Sequence, residues 1–303
     1  MQKYNNKHRL RLSFTTTILF FVITALFLVF KQFNNDGSAS PKKPSGVLEV
    51  HFIDVGQADA TLIKCGDKAM LIDAGENDSG TKIQSYLKSQ NVDKLDYIIG
   101  THPDSDHIGG LDVIIYKFGC DKILMPDTKK NNKTYRDVED SLKSRNLAKT
   151  VPEVGQRYAL GEASFTIVGP NASYDSSNDN SISILLEYGN SKFLFTGDAQ
   201  QEAEEDIVNN GINIDCDVYK VGHHGSKTSS TEELLNAASP AYAVISCGEN
   251  NDYGHPHASV LNSLRQRGIK VFRTDEQGTI VATTDGTSIK WNCSPSESWK
   301  VGN

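Results

Sequence analysis

The 303-residue sequence contains only five cysteines, and none of them belongs to a Cys-x-x-Cys pair. They are scattered along the chain, at positions 65, 120, 216, 247 and 293. This spacing excludes a zinc knuckle, and the odd number excludes a framework in which every cysteine is paired. Cys65, Cys216 and Cys247 lie in or beside strand-like runs, where free thiols commonly pack as small apolar groups. We therefore assign no disulfide.

The sequence also lacks an excess of positive charge, with 31 Lys and Arg against 38 Asp and Glu. Residues 1–43 hold seven of these basic residues and one acidic residue, so the rest of the chain has a net charge near −13. That balance argues against a broad basic surface for nucleic acid. The local exception is a lysine cluster, Lys129-Lys130 with Lys133, for which a solvated loop is the simpler interpretation.

One long apolar run is present, at residues 12–30, with 19 residues and no charge. This length is just enough for a helix to cross a bilayer. Basic residues before the run predict a cytoplasmic N-terminus, with the chain after residue 31 outside the cell. We expect residues 1–31 to be a cytoplasmic tail and uncleaved signal-anchor, and the Ser-, Pro- and Lys-rich residues 32–46 to be a flexible linker. A cleaved signal peptide and a secreted form are the alternative.

Strand-like and helix-like patterns alternate from residue 47 to residue 293. Residues 69–72 are typical of a strand and residues 80–89 of a helix, while Gly189-Asn190 joins two strands as a hairpin. This alternation predicts helices packed on sheet, of the α/β or α+β class. It does not by itself separate a doubly wound sheet from two sheets between helices. We take residues 47–293 as one domain and residues 294–303 as a C-terminal tail.

Segment 101–110 carries four metal-ligand side chains within six residues: His102, Asp104, Asp106 and His107. An apolar run precedes it, so these side chains lie where a strand ends and a loop begins. Alternate residues of an extended segment point to one side, and the next two can aim at a second point. This geometry suits two metal ions about 3.5–4 Å apart. Imidazole together with carboxylate predicts zinc or manganese.

The segment resembles the motif of the metallo-β-lactamase superfamily, His-x-His-x-Asp-His, with Asp104 in place of the middle histidine. Residues 52–60 (FIDVGQADA) and 221–226 (VGHHGS) extend the likeness. Together they resemble one subgroup, the extracellular metallo-β-lactamase-like domain of ComEC-type DNA-uptake channel proteins. The resemblance implies an αββα sandwich, which here would follow one N-terminal transmembrane helix.

Two divalent ions, Zn or Mn, are implied as cofactors. The expected metal ligands are His102, Asp104, Asp106, His107, Asp198 and His224. By resemblance, Asp198 bridges both ions, and Asp73 supports the metal loop without binding metal. Asn180 stands where many relatives have a ligand histidine. The oxygen of Asp104 shifts the preference somewhat towards harder ions such as Mn²⁺.

Three residues are predicted to be catalytic. Asp106 is expected to orient the nucleophile, and His223 or His255 to protonate the leaving oxygen. Four further residues are predicted to contact substrate: Asn180, Ser226, His257 and Asp54. A structural role is the alternative for His223, and loop-forming or helix-capping roles are the alternatives for Asn180 and His257.

The apolar run and the resemblance together predict a membrane-tethered, extracellular, metal-dependent hydrolase. Its expected substrate is a phosphodiester, with single-stranded DNA as the leading candidate. One alternative is a hydrolase of envelope phosphodiesters, such as phosphocholine-bearing polymers. Another is a non-catalytic module that holds DNA or a protein partner on the same fold.

Overall fold

The computed structural model describes residues 44–302. The predicted membrane anchor and most of the predicted linker lie outside these residues. Between residues 44 and 302, no helix is both long and apolar enough to cross a bilayer. The described residues include the whole predicted domain, 47–293, and all but the final residue of the segment after it.

Strands and helices alternate through the described residues much as the sequence predicts. The strands are β1 (Leu48–Phe52), β2 (Thr61–Cys65), β3 (Lys68–Ile72), β4 (Lys94–Ile99), β5 (Gly119–Leu124), β6 (Lys149–Thr150), β7 (Arg157–Leu160), β8 (Ala163–Gly169), β9 (Ser183–Tyr188), β10 (Ser191–Phe195), β11 (Val218–Lys220), β12 (Tyr242–Ile245), β13 (Lys270–Arg273), β14 (Ile280–Thr284) and β15 (Ile289–Trp291). The helices are α1 (Gly80–Ser89), α2 (Ser105–Ile108), α3 (Leu111–Lys117), α4 (Lys133–Ser144), α5 (Gln201–Asn209), α6 (Glu232–Ala238), α7 (Ala258–Gln266) and α8 (Thr274–Gln277).

The strands form two separate sheets, which excludes the doubly wound alternative. The first sheet has the order β15-β14-β1-β2-β3-β4-β5-β6, and the second has the order β13-β12-β11-β10-β9-β8-β7. Each sheet combines an antiparallel part with a parallel part, β3 to β6 in the first and β10 to β13 in the second. The predicted hairpin at Gly189-Asn190 is confirmed, since it joins β9 and β10 in antiparallel register.

Three apolar cores lie between these layers. They form because successive residues of the central strands are buried on opposite faces of their sheet. In β2, Ile63 belongs to the core between the sheets, whereas its neighbour Leu62 belongs to the core beneath α1, α3 and α4. The inter-sheet core includes Phe52 and Phe195, whose rings stack at a centroid distance of 6.1 Å. A third core lies between the second sheet and its own helices. The layers are therefore helix, sheet, sheet and helix, as the predicted sandwich requires.

The sequence patterns did not predict some short elements. Strand β6 is a two-residue Lys-Thr pair and β7 lies at a sheet edge, so neither has a buried apolar pattern to mark it. Residues 294–302 pack back on the domain, since Ser296 N–H donates to the Val271 carbonyl at 2.7 Å and Gly302 N–H to the Pro256 carbonyl at 3.1 Å. The segment predicted as a tail therefore rests beside His255.

Candidate metal centre

The predicted ligands converge at the carboxyl ends of parallel strands from both sheets, where open α/β sheets commonly place their sites. Asp73 follows β3, and His102 follows β4. From the second sheet, Asp198 follows β10, and the adjacent pair His223 and His224 follows β11. Helix α2 interrupts the metal loop, with the predicted ligand Asp104 at its N-cap and the predicted ligands Asp106 and His107 within it. Both sheets thus supply ligands to the centre.

Each of the three buried histidines is fixed through its Nδ1 atom. His224 Nδ1 lies 3.0 Å from the Ser246 carbonyl, and His107 Nδ1 lies 2.8 Å from Asp73 Oδ2. These oxygens only accept, so Nδ1 carries a proton and Nε2 is the atom that faces the centre. Thr101 Oγ1 donates to Asp73 and can therefore accept from His102 Nδ1, 3.2 Å away. Asp73 lies behind the histidines, as a partner that orients them.

Two of these histidines direct their Nε2 atoms into a shared space. His107 Nε2, His224 Nε2 and Asp198 Oδ1 are buried and have no hydrogen-bond partner among the described residues. His107 Nε2 lies 3.1 Å from Asp198 Oδ1, and His224 Nε2 lies 3.3 Å from Asp106 Oδ2 and 3.7 Å from Asp198 Oδ2. Tetrahedral ligands about 2.0–2.2 Å from one zinc ion stand roughly 3.3–3.6 Å apart. The donor set and its spacing therefore fit a divalent cation.

For two residues of the cluster, neighbouring charges shift the pKa in the direction opposite to the shift caused by burial. Burial would raise the pKa of Asp198, but His107 and His224 hold it well below its usual value. Burial would lower the pKa of His107, but the carboxylates of Asp198, Asp73 and Asp106 raise it well above its usual value. Burial and the neighbouring His107 lower the pKa of His102 to about 4. Asp198 is therefore ionised and His102 is neutral at pH 7, the forms that bind metal, whereas His107 carries a second proton that a bound cation would displace.

The centre has two unequal ends. We call Asp106, His107, Asp198 and His224 the four-ligand end. The open end consists of His102 and Asp104, with Nε2 of the first 4.0 Å from Oδ1 of the second. It shares Asp198, whose Oδ2 is also 4.0 Å from His102 Nε2.

Asp104 differs from the other carboxylates in its partners. Lys130 Nζ is 2.7 Å from Asp104 Oδ2, and Ser177 Oγ donates to Asp104 Oδ1 at 2.9 Å. The side chain of Asp104 is 25% exposed, against 3% for Asp198. Lys130, which was expected to be solvated in a loop, thus forms an ion pair with the predicted metal ligand Asp104.

A buried ion pair behind the four-ligand end was not predicted. Lys220 Nζ lies 2.9 Å from both carboxylate oxygens of Asp59. An oxygen of Asp59 also lies within 4.8 Å of donor atoms of His107, Asp198 and His224. Because the ammonium group already neutralises Asp59, we assign it a supporting role behind His224, whose Nδ1 is 3.8 Å away. The sequence signal that could have predicted this pair is Lys220 itself, a charged residue in the otherwise apolar strand β11.

Two histidines flank the centre on its solvent side. His223 Nε2 lies 3.6 Å from Asp198 Oδ2, and both His223 and His224 have a positive φ, a strained conformation often found at functional sites. His255 Nδ1 lies 3.2 Å from Gln57 Nε2, and Gln57 Oε1 accepts from Gly248 N–H. The Gln57 amide group therefore donates to Nδ1, and the His255 proton sits on Nε2.

The protonation of His255 changes its predicted role. Burial, with the neighbouring histidines His224, His223 and His257, lowers the pKa of His255 to about 4. At pH 7 the ring is neutral, so it can donate a hydrogen bond through Nε2 but does not carry the extra proton of an imidazolium acid.

A small polar cavity of 210 Å³ opens over the centre. Of the residues predicted for metal binding or catalysis, Asp104, Asp106, Asp198, His223, His224 and His255 line it. Gln57, Glu76, Lys130, Tyr253 and several small polar residues complete its wall. Four acidic side chains line the cavity, and Lys130 is its one lysine.

The four residues predicted to contact substrate do not line this cavity. Asp54 accepts a hydrogen bond from Gly56 N–H, and Ser226 Oγ lies 3.0 Å from Thr228 Oγ1. His257 precedes α7, and its Nδ1 accepts from Lys227 N–H at 3.1 Å.

Asn180 is also occupied elsewhere. Its amide accepts from Tyr174 N–H at 3.1 Å and donates to the carbonyls of Tyr174 and Ser176 at 2.8 and 2.7 Å. Asn180 thus shapes its own loop. Its Oδ1 keeps a second lone pair, and its predicted contact with substrate stays a prediction.

A family model of the metallo-β-lactamase superfamily matches residues 53–249. The chain belongs to the metallo-β-lactamase superfamily, as the sequence motif predicted.

The relatives include competence proteins. The chain is 32% identical to ComE operon protein 3 of Bacillus subtilis (strain 168), over 77% of this chain and 32% of that protein. It is 33% identical to Competence protein ComA of Neisseria gonorrhoeae, over 78% of this chain and 32% of that protein. It therefore spans about a third of the length of these two relatives. Exodeoxyribonuclease WalJ of Streptococcus pneumoniae (strain ATCC BAA-255 / R6) is 26% identical over 69% of this chain and 85% of its own length.

A solved structure agrees in fold. Igni18, a metallo hydrolase from Ignicoccus hospitalis, superposes with a TM-score of 0.52 at 17% identity, over 77% of this chain and 98% of that one. At this identity, the likeness concerns the fold alone.

Proposed function

We propose that this chain is a metal-dependent phosphodiesterase that acts on DNA. The observation that carries the proposal is the convergence of His107 Nε2, His224 Nε2 and Asp198 Oδ1, which are buried without a hydrogen-bond partner. Unpartnered buried polar atoms are costly, and a bound cation would satisfy all three.

The residues around this point suit a phosphoryl substrate. When bound, divalent ions would lower the pKa of water and neutralise charge on phosphoryl oxygens. Lys130, next to Asp104, is placed to bind a phosphate oxygen at the cavity wall. His255 Nε2–H can donate to an oxyanion, and His223 borders Asp198 on the open side. Asp106 and Asp198 would hold the cation together with His107 and His224.

The identity of the substrate is supported by the relatives. One carries the name exodeoxyribonuclease, and another is a competence protein. The 210 Å³ cavity has room for a single phosphate group with its immediate neighbours, which favours a single strand over a duplex. Zinc and manganese both suit this ligand set, and Asp104 favours manganese.

The test is hydrolysis of an aryl phosphodiester, and then of single-stranded DNA, with supplied Mn²⁺ or Zn²⁺. We expect cleavage of both, and loss of both in Asp106→Asn. Asp54→Asn is the matched control, because Asp54 lies outside the cavity. Cleavage of the aryl ester alone would sink the DNA assignment. Tight binding of DNA without any cleavage would favour the non-catalytic module, and phosphocholine esters as the only substrates would favour the envelope alternative.

We also propose that residues 12–30 anchor the protein in the cell membrane with the catalytic domain outside. The support is the uncharged 19-residue run and the basic residues before it. Protease added to intact cells should remove the domain. A domain that stays protected inside the cell would exclude this placement.

A further inference from the structure

A second cavity, larger than the one over the metal centre, has no role in the function proposed so far. Its volume is 580 Å³, against 210 Å³ for the metal cavity. Its wall is mainly apolar and includes three prolines, Pro126, Pro152 and Pro170, together with Tyr174 and Ile182. The volume lies within the range of small-molecule sites in proteins.

The same two loops line both cavities. In the loop after β5, residues 126–128 line the larger cavity, while Lys130 and Asn132 line the metal cavity. In the loop after β8, Tyr174 lines the larger cavity and Asn178 lines the metal cavity. A ligand held at the metal centre could therefore extend across these loops into the larger cavity.

Asn180 and Ser177 fix the shared wall. The Asn180 amide makes three hydrogen bonds to the backbone of Tyr174 and Ser176. Ser177 Oγ ties the same loop to Asp104. Tyr174 is held at its far end, since its hydroxyl donates to Asp206 at 2.7 Å. The aromatic ring is thus fixed at the cavity wall rather than free in solvent.

We propose that the larger cavity binds a nucleobase of a single-stranded nucleic acid whose phosphate lies at the metal centre. This inference rests on the proposed function and extends it to a named part of the substrate. Bases stack on flat apolar surfaces such as a tyrosine ring, with little dependence on sequence. The cavity offers such a surface one loop away from the phosphate-binding residues.

Charge favours a base over a second phosphate. Asp127 and Glu153 are exposed at the larger cavity, and neither carboxylate has a hydrogen-bond or ion-pair partner among residues 44–302. Carboxylates repel phosphate but accept hydrogen bonds from the amino and ring N–H groups of bases. The neutral, flat part of a nucleotide therefore suits this cavity, and its phosphate suits the side of Lys130.

The test compares Tyr174→Leu with Tyr174→Phe. The first removes the ring, and the second keeps the ring but loses the bond to Asp206. For single-stranded DNA, we expect Tyr174→Leu to raise KM about 5- to 150-fold, the range expected for the loss of one stacked base. Tyr174→Phe should stay near wild type. Both variants should hydrolyse an aryl phosphodiester like the wild type, because that substrate does not reach the cavity.

An abasic oligonucleotide of the same length provides the second measurement. It should bind the wild type more weakly than normal DNA, and Tyr174→Leu should add no further loss. If Tyr174→Leu has unchanged KM for DNA, or weakens normal and abasic DNA equally, the nucleobase site is overturned while the phosphodiesterase stands. If the wild type cleaves neither DNA nor aryl ester, the proposed function itself fails.

Discussion

The two ends of the metal centre use the same residue types but are built differently. At the four-ligand end, His107 and His224 are held by Asp73 and by a backbone carbonyl, and their inner nitrogens have no partner. At the open end, Asp104 is partly exposed and is already paired with Lys130. A cation at the first end meets preorganised ligands, whereas a cation at the second must compete with an ammonium group. We therefore expect one tightly held ion and one weakly held ion.

The strongest way to break this comparison is Asp198→Ala, because Asp198 is shared by both ends. We expect both ions to be lost and turnover of the phosphodiester to fall about 10³- to 10⁵-fold, as metal catalysis contributes several kcal/mol. Elemental analysis of the purified proteins provides the check on metal content. Equal metal content in the variant and the wild type would show that Asp198 bridges nothing.

The next effect concerns the support behind the four-ligand end. Lys220→Met leaves Asp59 buried and unpaired, so we expect a loss of about 3–5 kcal/mol in the free energy of unfolding. The double variant Asp59→Asn with Lys220→Met removes both charges and should recover most of that loss. Urea denaturation measures both variants. A single variant as stable as the wild type would mean that the pair is not needed in the interior.

A pH effect should arise in the loop that follows His224. Glu204 is fully buried in α5, and its carboxylate accepts from Ser230 and Thr231 N–H at 2.7 Å. Burial raises the pKa of Glu204 to about 7. The pKa of Glu204 is therefore higher in the folded protein than in the unfolded chain. The contribution of protonated Glu204 to the free energy of unfolding is fully present below about pH 4.5 and is lost as pH rises through 7.

Comparison with Glu204→Gln isolates this contribution, because the amide keeps the shape of the side chain but does not titrate. Between pH 5 and pH 8, the wild type should lose on the order of 3 kcal/mol relative to the variant. Urea denaturation at the two pH values supplies the numbers. A difference between the two proteins that does not vary with pH would rule out Glu204 as the titrating group.

The matched pair Asp106→Asn and Asp104→Asn compares the two ends directly. Each change replaces a carboxylate by an amide of the same shape. Asp106→Asn should weaken the tight ion at least 100-fold, whereas Asp104→Asn should weaken only the second ion, by about 10-fold. Calorimetric titration with Mn²⁺ resolves the two steps. Equal losses at both steps in both variants would remove the distinction between the ends.

The smallest effect should come from Lys130→Met, which removes the competing ammonium group from Asp104. We expect the second ion to bind about 3- to 10-fold tighter, the size of a partly exposed charge interaction. The KM for a phosphodiester should rise by a similar factor, since a phosphate contact is lost. Lys129→Met is the control, because Lys129 is the exposed neighbour of Lys130. It should change neither the affinity for the second ion nor the KM. Weaker binding of the second ion in Lys130→Met would reverse the argument.

The sequence predicted what depends on local pattern. The predicted metal ligands all lie shortly after apolar strands, including those of the metal loop as well as Asp198 and His224. Such positions can be recognised from each segment of sequence separately. The Asp59–Lys220 pair was not predicted, because its members are distant in sequence and come together only when the two sheets pack. Asn180 and Lys130 carry polar groups that suit a solvated loop equally well, so only the contacts with Tyr174 and Asp104 define their roles.

The pattern of the fold shows the same limit. Alternating strands and helices predicted helices on sheet, but the division into two sheets depends on long-range pairing, such as that of β1 with β14. No periodicity within a segment encodes which partner a strand will choose. The family resemblance predicted the two-sheet sandwich, and the observed strand pairing agrees with it.

The pairing of β1 with β14 also has a consequence for how the protein is made. Leu48 pairs with Thr284, so β1 lacks one of its partner strands until β14 has left the ribosome. Until then, one edge of β1 is exposed and open to wrong pairing. Such long-range closure slows folding, because the entropy of a large loop must be overcome first. We expect a nascent chain to remain dependent on chaperones until β14 emerges, and to acquire its metal only after that step.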